Sequence, residues 1–206
     1  MAVLVLLAVA AAGYLLGSVP TGFLIGKARG VDLRTLGSGN IGATNALRVL
    51  GKPAGVLVFV IDAFKGVAAC WAVPRLAEHL APGLAGELER NAILAGLAAI
   101  VGHNYTCWLR FKGGKGIATS AGALGVLMPT ALLLTLGLWL VVFALSRYVS
   151  LASITAAFGL PWIVWATQGS PTLIIAAVAL SLLALWKHKG NIQRLLHGTE
   201  HRFTRS

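Results

Sequence analysis

The apolar positions of this chain gather into long runs, separated by short basic, polar and glycine-rich segments. The runs are Met1–Gly26, Pro53–Pro74, Asn91–Leu109, Gly116–Ser146, Leu151–Gln168 and Pro171–Trp186. All but the fourth come close to the roughly 20 residues that carry a helix across ~30 Å of hydrocarbon. The fourth, as one straight helix, would reach ~46 Å, too long for a single crossing. Met128-Pro129 interrupts it near its middle, and Gly122, Gly125 and Gly137 flank the break. The pattern predicts an all-α polytopic membrane protein.

Composition agrees. Of 206 residues, 57% are hydrophobic and only 11% charged, against about 25% in a soluble domain, so the polar surface to cover a globule is missing. The length suits one domain, 1–206, surrounded by lipid. Two cysteines, seven prolines and abundant Leu, Ala and Val exclude a disulfide scaffold, collagen and disorder. A net charge of +11 would suit nucleic acid, but the positive residues lie between apolar runs, where membrane orientation accounts for them.

That orientation decides the count of crossings. With the fourth run taken as two, there are seven, and every Lys and Arg except Lys65, Arg75 and Arg90 falls on one side, which the positive-inside rule makes cytoplasmic. The N-terminus is then outside and the C-terminus inside. The first run has no basic segment ahead of it, so it reads as a retained span rather than a cleaved signal. Gly116–Met128, at ~20 Å as a helix, is short for a crossing, so the glycine-rich segment before it is expected to dip into the membrane from the cytoplasmic side. Cys70 and Cys107 fall near opposite faces, and no disulfide is expected between them.

Three inside segments carry the polar chemistry. Lys27–Lys52 places Gly37, Gly39 and Gly42 among Ser38, Asn40, Thr44 and Asn45. A dinucleotide fold has no room here, but a helix starting near Gly42 would aim its amides at an anion, with Arg48 close by. Gly102–Thr119 sets Gly113, Gly114 and Gly116 around Lys112 and Lys115; the Walker pattern fails, because Leu109 and Gly116 stand where it needs Gly and Ser or Thr. What remains is a flexible cationic turn of the kind that builds anion-binding nests. His103 reads either as a structural hydrogen-bonding group or as a proton carrier. Asn104-Tyr-Thr106 matches a glycosylation sequon on the wrong face. In the tail, His197 to His201 spell H-x-x-E-H, but Gly198 weakens the helix a zinc peptidase needs and no third ligand follows. Asn191, Arg194 and Glu200 there follow a span directly. Within the second run, Asp62 and Lys65 share one helical face, as a tie between helices or as a shaper of the cavity. The spacings Gly13-x-x-x-Gly17 and Gly22-x-x-x-Gly26 predict close helix packing.

Taken in order, GSGNIGATNALR, GHNYTCWLRFKGGKGIAT and HKGNIQRLLHGTE resemble the three cytoplasmic motifs of the acyl-phosphate–glycerol-3-phosphate acyltransferase (PlsY) family of bacterial inner-membrane enzymes. The resemblance spans nearly the whole chain. It implies transfer of a fatty acyl group from acyl phosphate to the 1-hydroxyl of sn-glycerol 3-phosphate, giving lysophosphatidic acid and phosphate at a site facing the cytoplasm. It implies phosphate handling by Ser38 and Arg48 with Gly39, Asn40, Gly42, Thr44 and Asn45, a glycine-rich substrate loop at Lys112, Gly113, Gly114, Lys115 and Gly116, and third-motif roles for His188, Asn191 and Glu200; Ser38, Arg48, His103, Lys115, His188, Asn191 and Glu200 are the expected catalytic residues. Expected partners are the two substrates, membrane lipids and a soluble enzyme that supplies acyl phosphate; nucleic acid is not expected. No His-x4-Asp motif occurs in the chain, as in that family.

The residue inventory fits this chemistry independently. Asp32, Asp62 and Glu200 are too scattered for a two-metal cluster, so neither metal nor other cofactor is expected. An acyl phosphate already carries a good leaving group and needs no covalent enzyme nucleophile. The hydroxyl proton passes either to a substrate phosphate or to His103 or His188 as general base. A transporter of a phosphorylated anion is the competing class, since broken helices and glycine-rich loops serve transport too. Against it stand the absence of an evident internal repeat and the clustering of polar segments on one face. A purely structural subunit would leave the glycine and asparagine density without a purpose.

Overall fold

The computed structural model describes residues 1–83 and 87–203, and these are helical apart from short connections. Arg205, counted above among the inside positive residues, lies outside the described residues. By contacts the chain divides into two compact units, Met1–Leu127 and Met128–Ser206.

The first unit holds α1 (Ala2–Ser18), α2 (Thr21–Ala28), α3 (Ala43–Leu50), α4 (Lys52–Leu80), α5 (Leu88–Asn104) and α6 (Ile117–Leu127). Small residues set how closely these helices approach. A Cβ on Gly13 or Gly17 would strike the backbone of Ala95 or Ala99, which brings α1 onto α5 as the spacing predicts. Gly66 and Gly122 do the same between α4 and α6, against the backbones of Thr119 and Ala63. Gly22 and Gly26 behave differently. They lie against Ile41, Val31 and Leu33, so they receive the 31–41 loop rather than another helix.

The first run is not one helix. Pro20 cannot donate a backbone hydrogen bond, and it holds Val19 extended at φ −55°, ψ 115°, so α1 stops and α2 restarts at Thr21. Helix α4, by contrast, runs through Pro74 to Leu80 instead of ending there. In the following turn Arg75 donates from its guanidinium to the Trp71 carbonyl at 2.8 Å and lies over the indole.

The second unit holds α7 (Pro129–Ser146), α8 (Val149–Thr167), α9 (Pro171–Lys187) and α10 (Lys189–Leu196). The chain breaks at Met128-Pro129 as the sequence indicates, with Met128 preceding the proline that opens α7. Ala131 is the one buried residue of α7. Its Leu133, Leu134, Leu140, Val141 and Leu145 are exposed, as suits a helix facing hydrocarbon. It meets α8 through the Trp139 indole, which donates to the Ser153 hydroxyl at 3.1 Å.

Five stretches are long and apolar enough to cross a membrane: Ala2–Ala28, Lys52–Leu80, Leu88–Leu109, Pro129–Ser146 and Val149–Thr167. The pair α9–α10, bent by 57°, makes a sixth if taken as one span. The 11 residues of α6 rise only ~16 Å, well short of a bilayer core.

Candidate active site

The first motif is a loop built around one buried side chain. Asn45, on α3, is 2% exposed. Its amide nitrogen donates to the carbonyls of Leu33 at 3.1 Å, Leu36 at 3.0 Å and Asn40 at 2.8 Å, and its oxygen accepts from the Ser38 amide at 2.9 Å. A Cβ on Gly37 would strike that same oxygen, and φ is +59° there, so only glycine fits the turn. Asn40 turns back to accept from the Gly42 amide at 2.8 Å, and the Gly39 amide donates to Leu36. The amides of Ser38, Gly39 and Gly42 are thus engaged within the loop. The side chains of Ser38 and Thr44 are left exposed around the start of α3, whose N-cap residue, Gly42, supplies no side-chain cap, while Arg48 is exposed in the last turn and donates to Asn45 Oδ1 at 3.4 Å. At the outer edge Arg34 grips Asp32 at 2.7 Å and lies over the Phe23 ring. Its guanidinium holds the Asp32 carboxyl well below the usual carboxylate range.

The second motif folds back onto the end of α5. The amides of Gly113 and Gly114 donate to the carbonyls of Asn104 at 3.2 Å and His103 at 3.0 Å, satisfying groups that a helix end leaves open. A Cβ on Gly114 would strike Nε2 of His103, and one on Gly113 would strike the His103 carbonyl oxygen. Gly116, at φ +78°, lies against Asn104 and starts α6. Lys112 is exposed and Lys115 half-buried on the same short turn. Arg110 and Phe111 both adopt positive φ, which bulky residues rarely accept, so the turn is tightly determined. Thr106 donates to the Ser18 carbonyl, and the Trp108 indole donates to the Ser18 hydroxyl at 3.0 Å.

The third motif lies in the second unit, at the bend between α9 and α10. His188, buried at that bend, donates from Nδ1 to the Ala184 carbonyl at 2.8 Å. Glu200 is the centre of a clasp. Its carboxylate accepts from the Asn191 amide at 2.8 Å, the Ser150 hydroxyl at 2.9 Å and Nε of Arg194 at 2.7 Å. Burial pushes the Glu200 carboxyl up, but these three hydrogen bonds and the Arg194 charge outweigh it and leave the group below its ordinary range. The zinc-peptidase spelling is thereby given other work: its acid closes the clasp, while His197 donates to the Gln193 carbonyl at the end of α10.

Sequence reading passed over Thr21, Ser18 and Ser150, and took Thr106 only as part of a sequon; all are short hydroxyl residues at the edges of apolar runs. Their only signal was polarity next to a proline or at a span's end, which many idle residues share. Cys70 and Cys107 are both free thiols.

These features define a class: an integral membrane helical protein with glycine-shaped polar loops at helix ends. The comparisons with known proteins narrow it. The family model described as glycerol-3-phosphate acyltransferase matches residues 7–198. The chain is 49% identical over 193 residues to the glycerol-3-phosphate acyltransferase of Geobacter metallireducens, covering 94% of this chain and 95% of that protein. It is 46% identical over 194 residues to the one from Geotalea daltonii, covering 93% and 94%. Among solved structures it is similar to PlsY (YgiH), an integral membrane glycerol 3-phosphate acyltransferase, in its glycerol 3-phosphate form, with a TM-score of 0.85 at 40% identity over 97% of this chain and 96% of that one. The lysophosphatidic acid form of the same enzyme gives 0.83 at 39%, over 97% and 95%. The chain belongs to the glycerol-3-phosphate acyltransferase family.

Proposed function

We propose that this protein acylates the 1-hydroxyl of sn-glycerol 3-phosphate with a fatty acyl group from acyl phosphate, releasing lysophosphatidic acid and inorganic phosphate. The observation that carries the reading is the family match over residues 7–198, which takes in the first two motifs and the third as far as Gly198. It is supported by likeness to an enzyme solved in glycerol 3-phosphate and lysophosphatidic acid forms. The same continuous match supports treating residues 1–206 as a single domain that happens to pack as two units.

The proposed roles draw on the motifs together with exposure and bonding. Ser38, Thr44, Arg48, Lys112 and Lys115 are the groups proposed to meet phosphate oxygens, Arg48 as a planar fork and the lysines as point charges. Gly39, Asn40, Gly42 and Asn45 shape the first loop, and Gly113, Gly114 and Gly116 the second. His103 supports that second loop, and Asn191 and His188 are the third-motif groups proposed to serve the reaction, with Glu200 holding Asn191 in place.

In the reaction the hydroxyl oxygen attacks the acyl carbonyl and a tetrahedral oxyanion forms next to cationic side chains. The new ester bond is kept as the bond from carbonyl carbon to phosphate oxygen breaks, and the phosphate leaves with the electron pair. The hydroxyl proton passes to a substrate phosphate, whose second pKa near ~6 suits it to accept at neutral pH. His103 or His188 as general base is the competing version; in His188 the Nδ1 proton is committed to Ala184, so Nε2 would have to act.

The charge bias supports seven crossings, with the N-terminus outside and the motifs on the cytoplasmic side of the bacterial inner membrane. On this reading a soluble enzyme delivers acyl phosphate from that side. The direct test is phosphate release from purified protein given palmitoyl phosphate, with and without glycerol 3-phosphate, in EDTA. Release that depends on acceptor, with lysophosphatidic acid appearing, is the expected outcome. No release, unrescued by magnesium, together with glycerol phosphate uptake into proteoliposomes, would establish a transporter instead.

A further inference from the structure

The buried pair in α4 is not accounted for by the reaction. Asp62 and Lys65 are 2% and 3% exposed, in a helix that crosses the membrane. Removing two charges from water is costly, and an apolar pair of similar size would often serve stability as well. Being three residues apart on one helix, the two cannot by themselves tie α4 to anything.

What they reach is more informative. Asp62 Oδ1 accepts from Lys65 Nζ at 2.7 Å and from the Thr21 hydroxyl at 2.9 Å, and lies 3.7 Å from Nδ1 of His103. Lys65 also donates to the Val19 carbonyl, which the break at Pro20 leaves outside any helix. Thr21 opens α2, and the next residue, Gly22, seats the first motif loop against the Ile41 carbonyl. His103 seats the second loop, through its carbonyl to the Gly114 amide and its ring against the Gly114 Cα. One carboxylate oxygen is therefore hydrogen-bonded to the seat of one substrate loop and lies 3.7 Å from the seat of the other.

We infer that Asp62, held by Lys65, is a positioning residue that fixes the two phosphate-handling loops relative to each other. The inference rests on the acyltransferase reading above. Each loop keeps its own internal hydrogen bonds when the network is cut, so each still binds its ligand, but hydroxyl and carbonyl lose alignment.

The test is steady-state lysophosphatidic acid formation by the purified full chain, alongside its thermal unfolding. The double variant Asp62→Asn/Lys65→Met removes both charges and so leaves no lone buried ion. It is expected to unfold near the wild-type temperature with KM for glycerol 3-phosphate within about threefold, while kcat falls by about 100-fold, the cost of an ångström-scale misplacement. Thr21→Val removes one donor without touching charge; it is expected to lower kcat roughly tenfold, and Thr21→Ser to restore it. A double variant with wild-type kcat would overturn the inference and reduce the pair to a neutral filler. If the double variant does not purify folded, the Thr21 pair decides, and wild-type kcat in Thr21→Val overturns it equally. A wild-type protein that makes no lysophosphatidic acid would refute the acyltransferase reading instead, before any variant is compared.

Discussion

At the scale of single residues, glycine and asparagine carry the first two motifs by shape more than by direct contact. Gly114 has no space for a side chain beside the His103 ring. Gly114→Ala should therefore displace the loop from its seat and lower kcat/KM by about 100-fold or more, since a shift of ~1 Å at a reacting centre costs that much. Steady-state assays of the folded variant check this. Asn45 supplies both a donor set and an acceptor, so Asn45→Asp keeps the acceptor but cannot bond Leu33, Leu36 and Asn40. Each buried carbonyl left without a partner costs ~1–3 kcal/mol, enough to disorder the loop. Asn45→Asp and Asn45→Ala should then both raise KM for glycerol 3-phosphate at least tenfold. An Asp variant with wild-type KM would show that the amide bonds are dispensable.

At the scale of elements, the clasp at Glu200 holds the tail and α10 to the start of α8, and the backbone reinforces it where the Phe203 amide donates to the Arg147 carbonyl at 2.8 Å. Because the folded carboxyl sits below its ordinary range, its contribution to stability is present above that range and is lost as pH falls through the folded value. Glu200→Gln should lower the unfolding temperature at pH 7 by roughly 2–4 °C, as ~1 kcal/mol does in a chain of this size. That difference should shrink on acidification toward pH 3, as the wild type loses what the variant already lacks. Thermal scans of both proteins across pH 3–7 test the sign. The break at Pro20 belongs to this scale too. It opens carbonyls inside an apolar layer, and Lys65 and Thr106 answer them from α4 and from the turn after α5.

At the scale of the whole molecule, the number of crossings sets which connections share a face of the membrane. Arg29 follows the first span and Gln168 separates α8 from α9, and both are exposed. If α6 and α7 cross separately, these positions lie on opposite faces; if they make one crossing, on the same face. In a chain with Cys70 and Cys107 replaced, Arg29→Cys should be labelled from the cytoplasmic side and Gln168→Cys from outside by a membrane-impermeant thiol reagent. Labelling of both from one side would discard the seven-crossing topology.

How much of this was legible in the sequence differs from one level to the next. Apolar run length gave the membrane class and most helices, because the bilayer imposes a length that residues cannot evade. The break at Met128-Pro129 and the helix start at Gly42 were readable for a similar reason: proline and glycine act locally on the backbone. Motif order pointed to the family. The continuation of α4 past Pro74 was not readable, because neighbouring groups decide whether a missing hydrogen bond ends a helix. Nor was the use of the glycine amides, which bond within their own loops, since bonding partners such as Asn45 with Leu33, or Gly114 with His103, are set by packing. The sequence by itself determined which residues meet lipid and where the backbone can turn, through hydrophobicity and φ restrictions that each residue carries alone. Only the tertiary structure decided that Thr21, Asp62, Lys65 and His103 meet at one oxygen, because that meeting depends on helices from distant parts of the chain approaching across glycines.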